Sequence, residues 1–564
     1  MDTTRRGAIG LGVAAAASPG LTGEAQAAHR PVGTSSALRP VKVAPPAAFT
    51  PDWASLAAGY TAPDWFRDAK FGIWAHWGAP SVPGAGDDWY ARDMYLQGHP
   101  SYDHHLKHYG HPADVGFMQI QNSWKAELWD PGRLLDLYKR AGAKYFMALA
   151  SHHDNLDCFA STHHGWNSTR VGPRKDIVGT WAKLARERGL RFAISNHSAH
   201  AWHWNQVAYG YDPQGARRGQ RYDAWTLTAA AGRGQWWEGL DPQALYTGRS
   251  LPMPDGVQSI AEANAWHAAT DGLWTEGAPP DAGFVRRWSL RCRELIDKYR
   301  PDMLYFDDHD LPLQQAGLDM AAYFYNRNME WNGGRLEAVA TAKETPPQRR
   351  MGLVDVVERG GKTYIEQFPW QTETCLGNWF YGEQYYTEDR YKTPAKVIHT
   401  LCDVVSKNGN LMLSVPIRGD GTIDDKEERI VETIAAWMGR NGEAIYGSRP
   451  WRIHGEGPTG EAGGSFSEGG PTSPYGARDV RYVTRGGDVH ALVLGWPEDG
   501  VARMTLLGAD NPVGRGQVRR VCVVGDPTPL AFNRTGDALQ ATLPAALRDP
   551  IGLALVVSGE GLVG

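Results

Sequence analysis

An aspartate near the end of a short apolar run is the first candidate for chemistry. Residues 299–308 read Tyr-Arg-Pro-Asp-Met-Leu-Tyr-Phe-Asp-Asp, and they predict a strand over Met303–Phe306. Alternate side chains of a strand share one face, so Tyr305 and Asp307 would point inward together. Asp308 has the opposite parity, which is typical of a loop or helix-cap residue. If the strand belongs to a barrel, Asp307 lies at the carboxyl end, where barrel enzymes place catalytic groups.

Histidines lie at the ends of two other strand candidates. His76 is near the end of the run Phe71–Trp77, and His152 and His153 follow Tyr145–Ala150. Neighbouring residues of a strand face opposite sides, which disfavours binding of one metal ion by both histidines. Imidazole donates at one nitrogen and accepts at the other, so the pattern favours contacts with ligand hydroxyls over a metal site. Structural burial of these histidines is the remaining alternative.

Strand-like and helical segments alternate along most of the chain. The strand candidates are Phe71–Trp77, Tyr145–Ala150, Leu190–Ile194, Met303–Phe306 and Leu411–Val415. The helix candidates are Pro131–Ala141, Ile177–Arg188, Phe284–Tyr299, Pro394–Ser406 and Asp424–Asn441. This alternation predicts a parallel α/β fold. Its length favours a (β/α)8-like barrel over an open sheet.

The pattern changes after Trp451. Short β-like runs at Val480–Thr484, Asp488–Leu494, Ala502–Leu507, Val518–Val524 and Ala554–Val557 are separated by Gly, Pro and Asp. They predict a C-terminal antiparallel β-sandwich. We therefore place a catalytic barrel at 51–448, with an insertion near 201–283, and the sandwich at 449–564.

The composition points to a sugar ligand. The 564 residues include 58 Lys+Arg and 63 Asp+Glu, and this near-neutral balance argues against nucleic acid as a partner. The 23 Trp and 23 Tyr outnumber the 14 Phe. Aromatic side chains with a polar group suit a flat, hydroxyl-bearing ligand. A large core is the alternative explanation.

The N-terminus resembles a twin-arginine export signal. Arg5-Arg6 precedes an Ala-rich run, and Ala25-Gln26-Ala27 is a candidate cleavage site, so residues 1–28 predict a signal peptide and 29–50 a linker. A disordered cytoplasmic tail is the alternative. No later stretch is apolar enough to span a membrane. The five cysteines are widely spaced, which excludes a disulfide scaffold. We expect a periplasmic or extracellular protein.

Six motifs, in consistent order, resemble the α-L-fucosidases of glycoside hydrolase family 29. They are Phe71–Gly78 with Ser81-Val82-Pro83, Gly142–Tyr145 followed by His152–Asp154, Pro173–Gly179, Pro301–Asp307, Val404–Leu411 and Asn441–Gly447. The resemblance implies a barrel followed by a β-sandwich, a fucosylated oligosaccharide or related glycan as partner, and a retaining mechanism that needs no cofactor.

The resemblance also implies roles for two carboxylates. Asp307 falls on the position of the nucleophile of the family. Residues 353–360 resemble a loop that carries the general acid/base, which makes Glu358 the first choice. The competing glutamates are Glu344, Glu366 and Glu373.

Several residues fall on or beside sugar-contacting positions of the family. His76, Trp89, His152 and His153 match them. Four residues that we also assign to substrate binding depart from the family pattern: Asp88, Asn196, His197 and Tyr305. These departures bear on the identity of the sugar more than on the reaction.

The sequence therefore predicts an exported retaining exo-α-L-fucosidase. A relative that hydrolyses another sugar, such as an α-L-galactoside, is the first alternative. A non-catalytic carbohydrate-binding protein and a metal-dependent hydrolase are alternatives of other classes. The sequence leaves a homo-oligomer open.

Overall fold

The computed structural model describes residues 48–270, 280–460, 462–468 and 474–563. The predicted signal peptide at 1–28 and the predicted linker up to residue 47 lie outside these residues. Within the described part, no helix combines the length and apolarity that crossing a membrane requires. All five cysteines are buried and unpaired.

Eight parallel strands close into a barrel in chain order. They are β1 (Phe71–Ala75), β2 (Tyr145–Ser151), β3 (Arg191–Asn196), β4 (Met303–His309), β5 (Val339–Lys343), β6 (Val354–Glu358), β7 (Trp370–Cys375) and β8 (Gly409–Ser414). Strand β1 pairs with both β2 and β8, which closes the sheet. The predicted barrel is confirmed.

Helices surround the barrel and fill its connections. They are α1 (Trp53–Gly59), α2 (Asp64–Ala69), α3 (Tyr90–Asp93), α4 (Pro100–His108), α5 (Phe117–Ser123), α6 (Pro131–Arg140), α7 (Ile177–Glu187), α8 (Ala201–Trp204), α9 (Asp223–Thr226), α10 (Pro242–Leu245), α11 (Ile260–Thr270), α12 (Ala282–Tyr299), α13 (Gln315–Trp331), α14 (Glu383–Thr387), α15 (Pro394–Ser406) and α16 (Asp425–Ile445). Helix α16 begins with a capping box between Asp424 and Glu427.

Two details of the barrel differ from the sequence interpretation. Residues 353–360 were expected to form a loop, but Val354–Glu358 is a buried strand and Glu358 is its last residue. Its valines favour a strand, and the two acidic residues concealed the apolar pattern. Strand β4 continues to His309, so Asp308 belongs to the strand rather than to a loop or helix cap. One carboxylate oxygen of Asp308 lies 3.2 Å from His200 Nε2.

Two antiparallel sheets follow the barrel, as predicted. Their strands are β9 (Arg449–Glu456), β10 (Val480–Arg485), β11 (Asp488–Val493), β12 (Val501–Met504), β13 (Gln517–Val523), β14 (Phe532–Arg534), β15 (Leu539–Thr542) and β16 (Leu553–Glu560). One sheet has the order β13-β16-β11-β10-β9, and the other has β12-β15-β14. Trp451, Tyr482 and Leu539 belong to the apolar core of this region.

A buried ionic network joins the C-terminal sheets to the barrel. Arg481 of β10 donates a 2.7 Å hydrogen bond to Asp403 of α15, and Lys407 donates one of 2.6 Å to the same carboxylate. All three side chains are buried. A buried charge is strongly destabilising when it lacks a partner. The network therefore favours the one orientation of the two regions in which all three charges are paired.

The predicted insertion packs against the connection that follows β1. The Asp223 carboxylate accepts hydrogen bonds from Tyr95 at 2.9 Å and Tyr246 at 2.7 Å. Burial raises the pKa of Asp223 to about 7. The described part of the insertion is therefore tied to the barrel through buried polar contacts.

Candidate active site

The carboxyl ends of the barrel strands bring the predicted functional residues together. Parallel strands of a closed barrel end at one face, and side chains there converge on its axis. The residues at or just beyond the strand ends include His76, His152, His153, His197, Asp307, Lys343, Glu358 and Glu373.

Asp307 is the most densely contacted carboxylate of this face. Its Oδ2 lies 3.0 Å from His197 Nδ1 and 3.3 Å from His153 Nε2. Its Oδ1 accepts a 3.2 Å hydrogen bond from the Tyr305 hydroxyl and contacts Lys343 Nζ. Tyr305 and Asp307 thus share a face of β4, as the strand parity predicts.

These contacts keep Asp307 ionised. Burial by itself would raise the pKa of this carboxyl group, but the positive charge of Lys343 and the contacts with His197 and His153 outweigh it. The pKa of Asp307 consequently lies well below its usual range. An ionised carboxylate at this position has the protonation state that a nucleophile requires.

Lys343 connects three carboxylates. Its ammonium contacts Asp307, donates a 2.5 Å hydrogen bond to Glu358 Oε2, and lies 3.8 Å from Glu373 Oε1. Burial favours the neutral amine, yet the three acidic neighbours outweigh burial and raise the pKa of Lys343 well above its usual value. Lys343 is therefore a permanent positive charge in the centre of the site.

Glu358 lies close to Asp307. Its Oε1 accepts a 2.9 Å hydrogen bond from Trp379 Nε1. One carboxylate oxygen each of Asp307, Glu358 and Glu373 lies within 4.8 Å of the other two. An oxygen–oxygen separation below 4.8 Å is closer to the roughly 5–5.5 Å between the carboxyl groups of retaining glycosidases than to the about 6.5–9.5 Å of inverting ones.

Glu373 is a third acid of the site. It is fully buried, and its Oε1 accepts a 2.6 Å hydrogen bond from the Tyr305 hydroxyl. Burial raises the pKa of Glu373 to about 8, despite the opposing effect of Lys343. Glu373 therefore holds a proton at neutral pH, but it lies deeper in the barrel than Glu358, which is 7% exposed.

The two remaining candidate glutamates are engaged elsewhere. Glu366 Oε1 lies 3.5 Å from Lys362 Nζ and 3.6 Å from Arg350 Nη1. Glu344 Oε2 lies 3.4 Å from His309 Nδ1 and is half exposed. The geometry therefore favours Glu358 or Glu373 as the general acid/base over Glu344 and Glu366.

The predicted histidines form a buried cluster beside Asp307. One ring nitrogen each of His76, His152 and His197 lies within 4.8 Å of the other two. Burial holds the pKa of His76 and His152 well below the usual value and lowers that of His153 to about 4. Nδ1 of His76 and of His152 is buried without a hydrogen-bond partner among the described residues. Neutral imidazoles with unused nitrogens suit ligand hydroxyl groups.

Groups of side chains in this site have the spacing of potential metal ligands. The trio His76, His152 and His197 has the donor type that a divalent transition metal prefers. The carboxylates of Asp307, Glu358 and Glu373 form a second group of potential ligands. There the Lys343 ammonium already lies among the oxygens and would repel a metal cation. The histidine trio is thus the better candidate of the two.

Three other predicted binding residues lie around this centre. Asp88 Oδ1 accepts a 3.2 Å hydrogen bond from the backbone N–H of Trp379, so it supports a residue that contacts Glu358. Trp89 is 37% exposed. The Asn196 side chain donates to Cys292 Sγ at 3.1 Å and accepts from the Ser198 hydroxyl at 2.7 Å. Asn196 thus orients the chain that leaves β3.

Sequence reasoning missed Lys343, Trp379 and His200. Lys343 ends a strand of small residues, Val-Ala-Thr-Ala-Lys, which lacks a strong apolar signal. Trp379 follows β7 in a loop. His200 Nε2 lies 2.6 Å from the backbone oxygen of Asp307.

Comparisons with known proteins identify the family of the chain. The model of the Alpha-L-fucosidase family matches residues 37–443. Tissue alpha-L-fucosidase of Homo sapiens is 25% identical over 483 residues, which cover 84% of each chain. The enzyme of the same description from Rattus norvegicus is 26% identical over 81% of each chain.

A solved structure shows the same fold. The alpha-fucosidase of Thermotoga maritima, in complex with a mechanism-based inhibitor, is 23% identical with a TM-score of 0.65. The match covers 90% of this chain and 99% of that chain. Because the family model matches well over half of the sequence, the chain belongs to the α-L-fucosidase family of glycoside hydrolases.

Proposed function

We propose that this protein hydrolyses terminal α-L-fucosides by a double displacement with net retention. The observation that carries the proposal is the pair Asp307 and Glu358. One is held ionised by its neighbours, and an oxygen of each lies within 4.8 Å of the other at the carboxyl ends of β4 and β6. Membership of the α-L-fucosidase family supports fucose as the sugar.

In the first step, Asp307 attacks the anomeric carbon of the fucosyl group. A bond forms between an Asp307 oxygen and C1, while the bond from C1 to the leaving oxygen breaks. Glu358 gives its proton to that oxygen, and the alcohol departs. In the second step, Glu358 removes a proton from water, the water oxygen bonds to C1, and Asp307 leaves as a carboxylate.

The surrounding residues have distinct tasks in this scheme. Lys343 stabilises the anionic form of Asp307, which the first step needs, and it donates a hydrogen bond to Glu358. The histidine cluster of His76, His152 and His197 supplies donors and acceptors for the sugar hydroxyls. Preorganised polar groups in a buried site act more strongly than in water.

The stereochemistry of the first product tests the proposal. Hydrolysis of nitrophenyl α-L-fucoside should initially release α-L-fucose, as followed by proton NMR before the sugar mutarotates. A panel that includes nitrophenyl α-L-galactoside tests the sugar. Initial release of the β-anomer would contradict the double displacement. Turnover of the galactoside but not of the fucoside would contradict fucose as the sugar of the substrate.

We also propose that residues 1–28 direct export through the twin-arginine route. The paired Arg5 and Arg6 and the Ala-rich run that follows support this. Replacement of both arginines by lysine should retain the protein in the cytoplasm of a bacterial host. Unchanged export of the variant would contradict the proposal.

A further inference from the structure

A segment of the C-terminal region lies directly against Glu358. Residues 462–468 follow β9 in the chain, yet they contact the carboxyl end of β6. Glu358 donates its backbone N–H to Ser465 Oγ at 3.1 Å. Its carbonyl oxygen accepts a 2.7 Å hydrogen bond from the Phe466 N–H. Both backbone groups of the proposed acid/base are therefore satisfied by this segment.

The same segment is fastened to the barrel at several further points. The Glu468 N–H donates to the carbonyl oxygen of Arg359 at 2.8 Å, and the Gly464 N–H donates to that of Gly361 at 2.9 Å. The Glu468 carboxylate accepts hydrogen bonds from the Thr374 hydroxyl at 2.7 and 2.9 Å.

Charge and close packing reinforce this attachment. The Glu468 carboxylate also lies 3.3 Å from Lys392 Nζ. A Cβ atom at Gly360 would come within 1.9 Å of the Gly464 carbonyl oxygen. Backbone contact this close leaves no room for a side chain at position 360. The segment is consequently a fixed part of this face of the barrel.

The proposed reaction indicates a role for residues 462–468. A general acid must reach the glycosidic oxygen, so the leaving group of the substrate lies beside the acid residue. The Ser465 hydroxyl and the Phe466 N–H contact the backbone of Glu358. Phe466 adopts a positive φ of 57° and is 59% exposed. An exposed aromatic ring offers an apolar face on which the C–H groups of a sugar can pack.

We propose that residues 462–468 form the leaving-group subsite of the enzyme and that Phe466 contacts the sugar to which the fucose is attached. This inference rests on the proposed function, with Glu358 as the acid/base. It assigns a part in substrate selection to the C-terminal region. The expected ligand is the carbohydrate portion of a fucosylated oligosaccharide, rather than the fucose itself.

The test compares substrates that differ only in their leaving group. α-L-Fucosyl fluoride has no leaving-group sugar, whereas a fucosylated trisaccharide has two. Phe466→Ala should lower kcat/KM for the trisaccharide about tenfold more than for the fluoride, the scale of one lost aromatic contact. Phe466→Tyr should preserve the ratio of the two values.

Transfer to an added sugar gives an independent readout. With fucosyl fluoride as donor, the fucosyl-enzyme divides between water and an added disaccharide, and Phe466→Ala should lower the share that reaches the disaccharide. Phe532→Ala, which removes an exposed phenylalanine from β14, should change neither readout. Equal losses on fluoride and trisaccharide, or no loss on either, would overturn the inference. A wild-type protein inactive on fucosyl fluoride would overturn the proposed function itself.

Discussion

Lys343 and Glu358 end neighbouring strands of the barrel, and the Lys343 ammonium donates a 2.5 Å hydrogen bond to Glu358 Oε2. The same ammonium contacts Asp307. The positive charge of Lys343 helps to hold the pKa of Asp307 well below its usual range, so it favours an anionic nucleophile. Burial raises the pKa of Glu373, the third acid of the site, to about 8.

Replacement of the proposed nucleophile should abolish the first step. Asp307→Gly removes the carboxylate that attacks C1, and we expect turnover of fucosides to fall at least about 10³-fold. Azide fits the vacated space and should restore turnover through a fucosyl azide of inverted configuration. Product NMR checks the configuration. Asp308→Gly is the matched control, and azide rescue of that variant alone would show that the strand parity is wrong.

Replacement of the acid/base should depend on the leaving group. Glu358→Ala should slow natural fucosides far more than dinitrophenyl fucoside, because an activated phenolate departs without a proton. Azide should restore activity with retained configuration. Kinetics on both substrates provide the measurement. If Glu373→Ala shows this pattern and Glu358→Ala does not, Glu373 is the acid.

Removal of the central cation should alter the pH profile. Lys343→Met deletes the charge that lowers the pKa of Asp307, so that pKa should rise by about 1–3 units. The acidic limb of kcat/KM should move to higher pH by a similar amount. Lys362→Met is the matched control, since its ammonium pairs with Asp355 at 2.9 Å. An acidic limb at the same pH in wild type and Lys343→Met would refute this role.

The histidine cluster should bind the sugar rather than a metal. His76→Ala or His152→Ala should each weaken transition-state binding by about 1–3 kcal/mol, the scale of a lost buried hydrogen bond. Dialysis against EDTA should leave kcat/KM unchanged. Stoichiometric metal in the purified protein, together with activity that a chelator removes, would contradict this assignment.

His153 should make the fold sensitive to acid. Its pKa of about 4 lies below the value of ~6.5 expected in the unfolded chain, so the unfolded state binds more protons between these limits. Stability therefore falls as pH decreases through this window. From pH 7 to 4.5, wild type should lose about 2–3 kcal/mol more than His153→Gln in urea unfolding. If the free energies of unfolding of wild type and His153→Gln changed equally with pH, the lowered pKa of His153 would be contradicted.

The barrel and the place of Asp307 could be predicted from local pattern. Alternation of strand-like and helical runs indicates a parallel barrel, and the parity of Met303–Phe306 places Tyr305 and Asp307 on one face. The structure has this arrangement. Periodicity of this kind is a property of neighbouring residues, and it needs no knowledge of distant contacts.

The sequence could not reveal strands β5 and β6 or the place of Glu358 at a strand end. Ala and Thr dominate Val339–Lys343, and Asp355 and Glu358 interrupt the apolar residues of Val354–Glu358. Such short strands are stabilised by neighbours on both sides of the barrel rather than by their own composition.

By itself the sequence determined the order of the elements, the α-L-fucosidase motifs and a short set of candidate acids. Only the tertiary structure decided which of these acids meet. Closure of the barrel brings Asp307, Lys343 and Glu358 together from three strands, although 15 to 51 positions separate them in the chain. It also brings residues 462–468 to Glu358. Proximity of this kind depends on strand register and sheet closure, and the resulting pKa shifts depend on burial that no local pattern encodes.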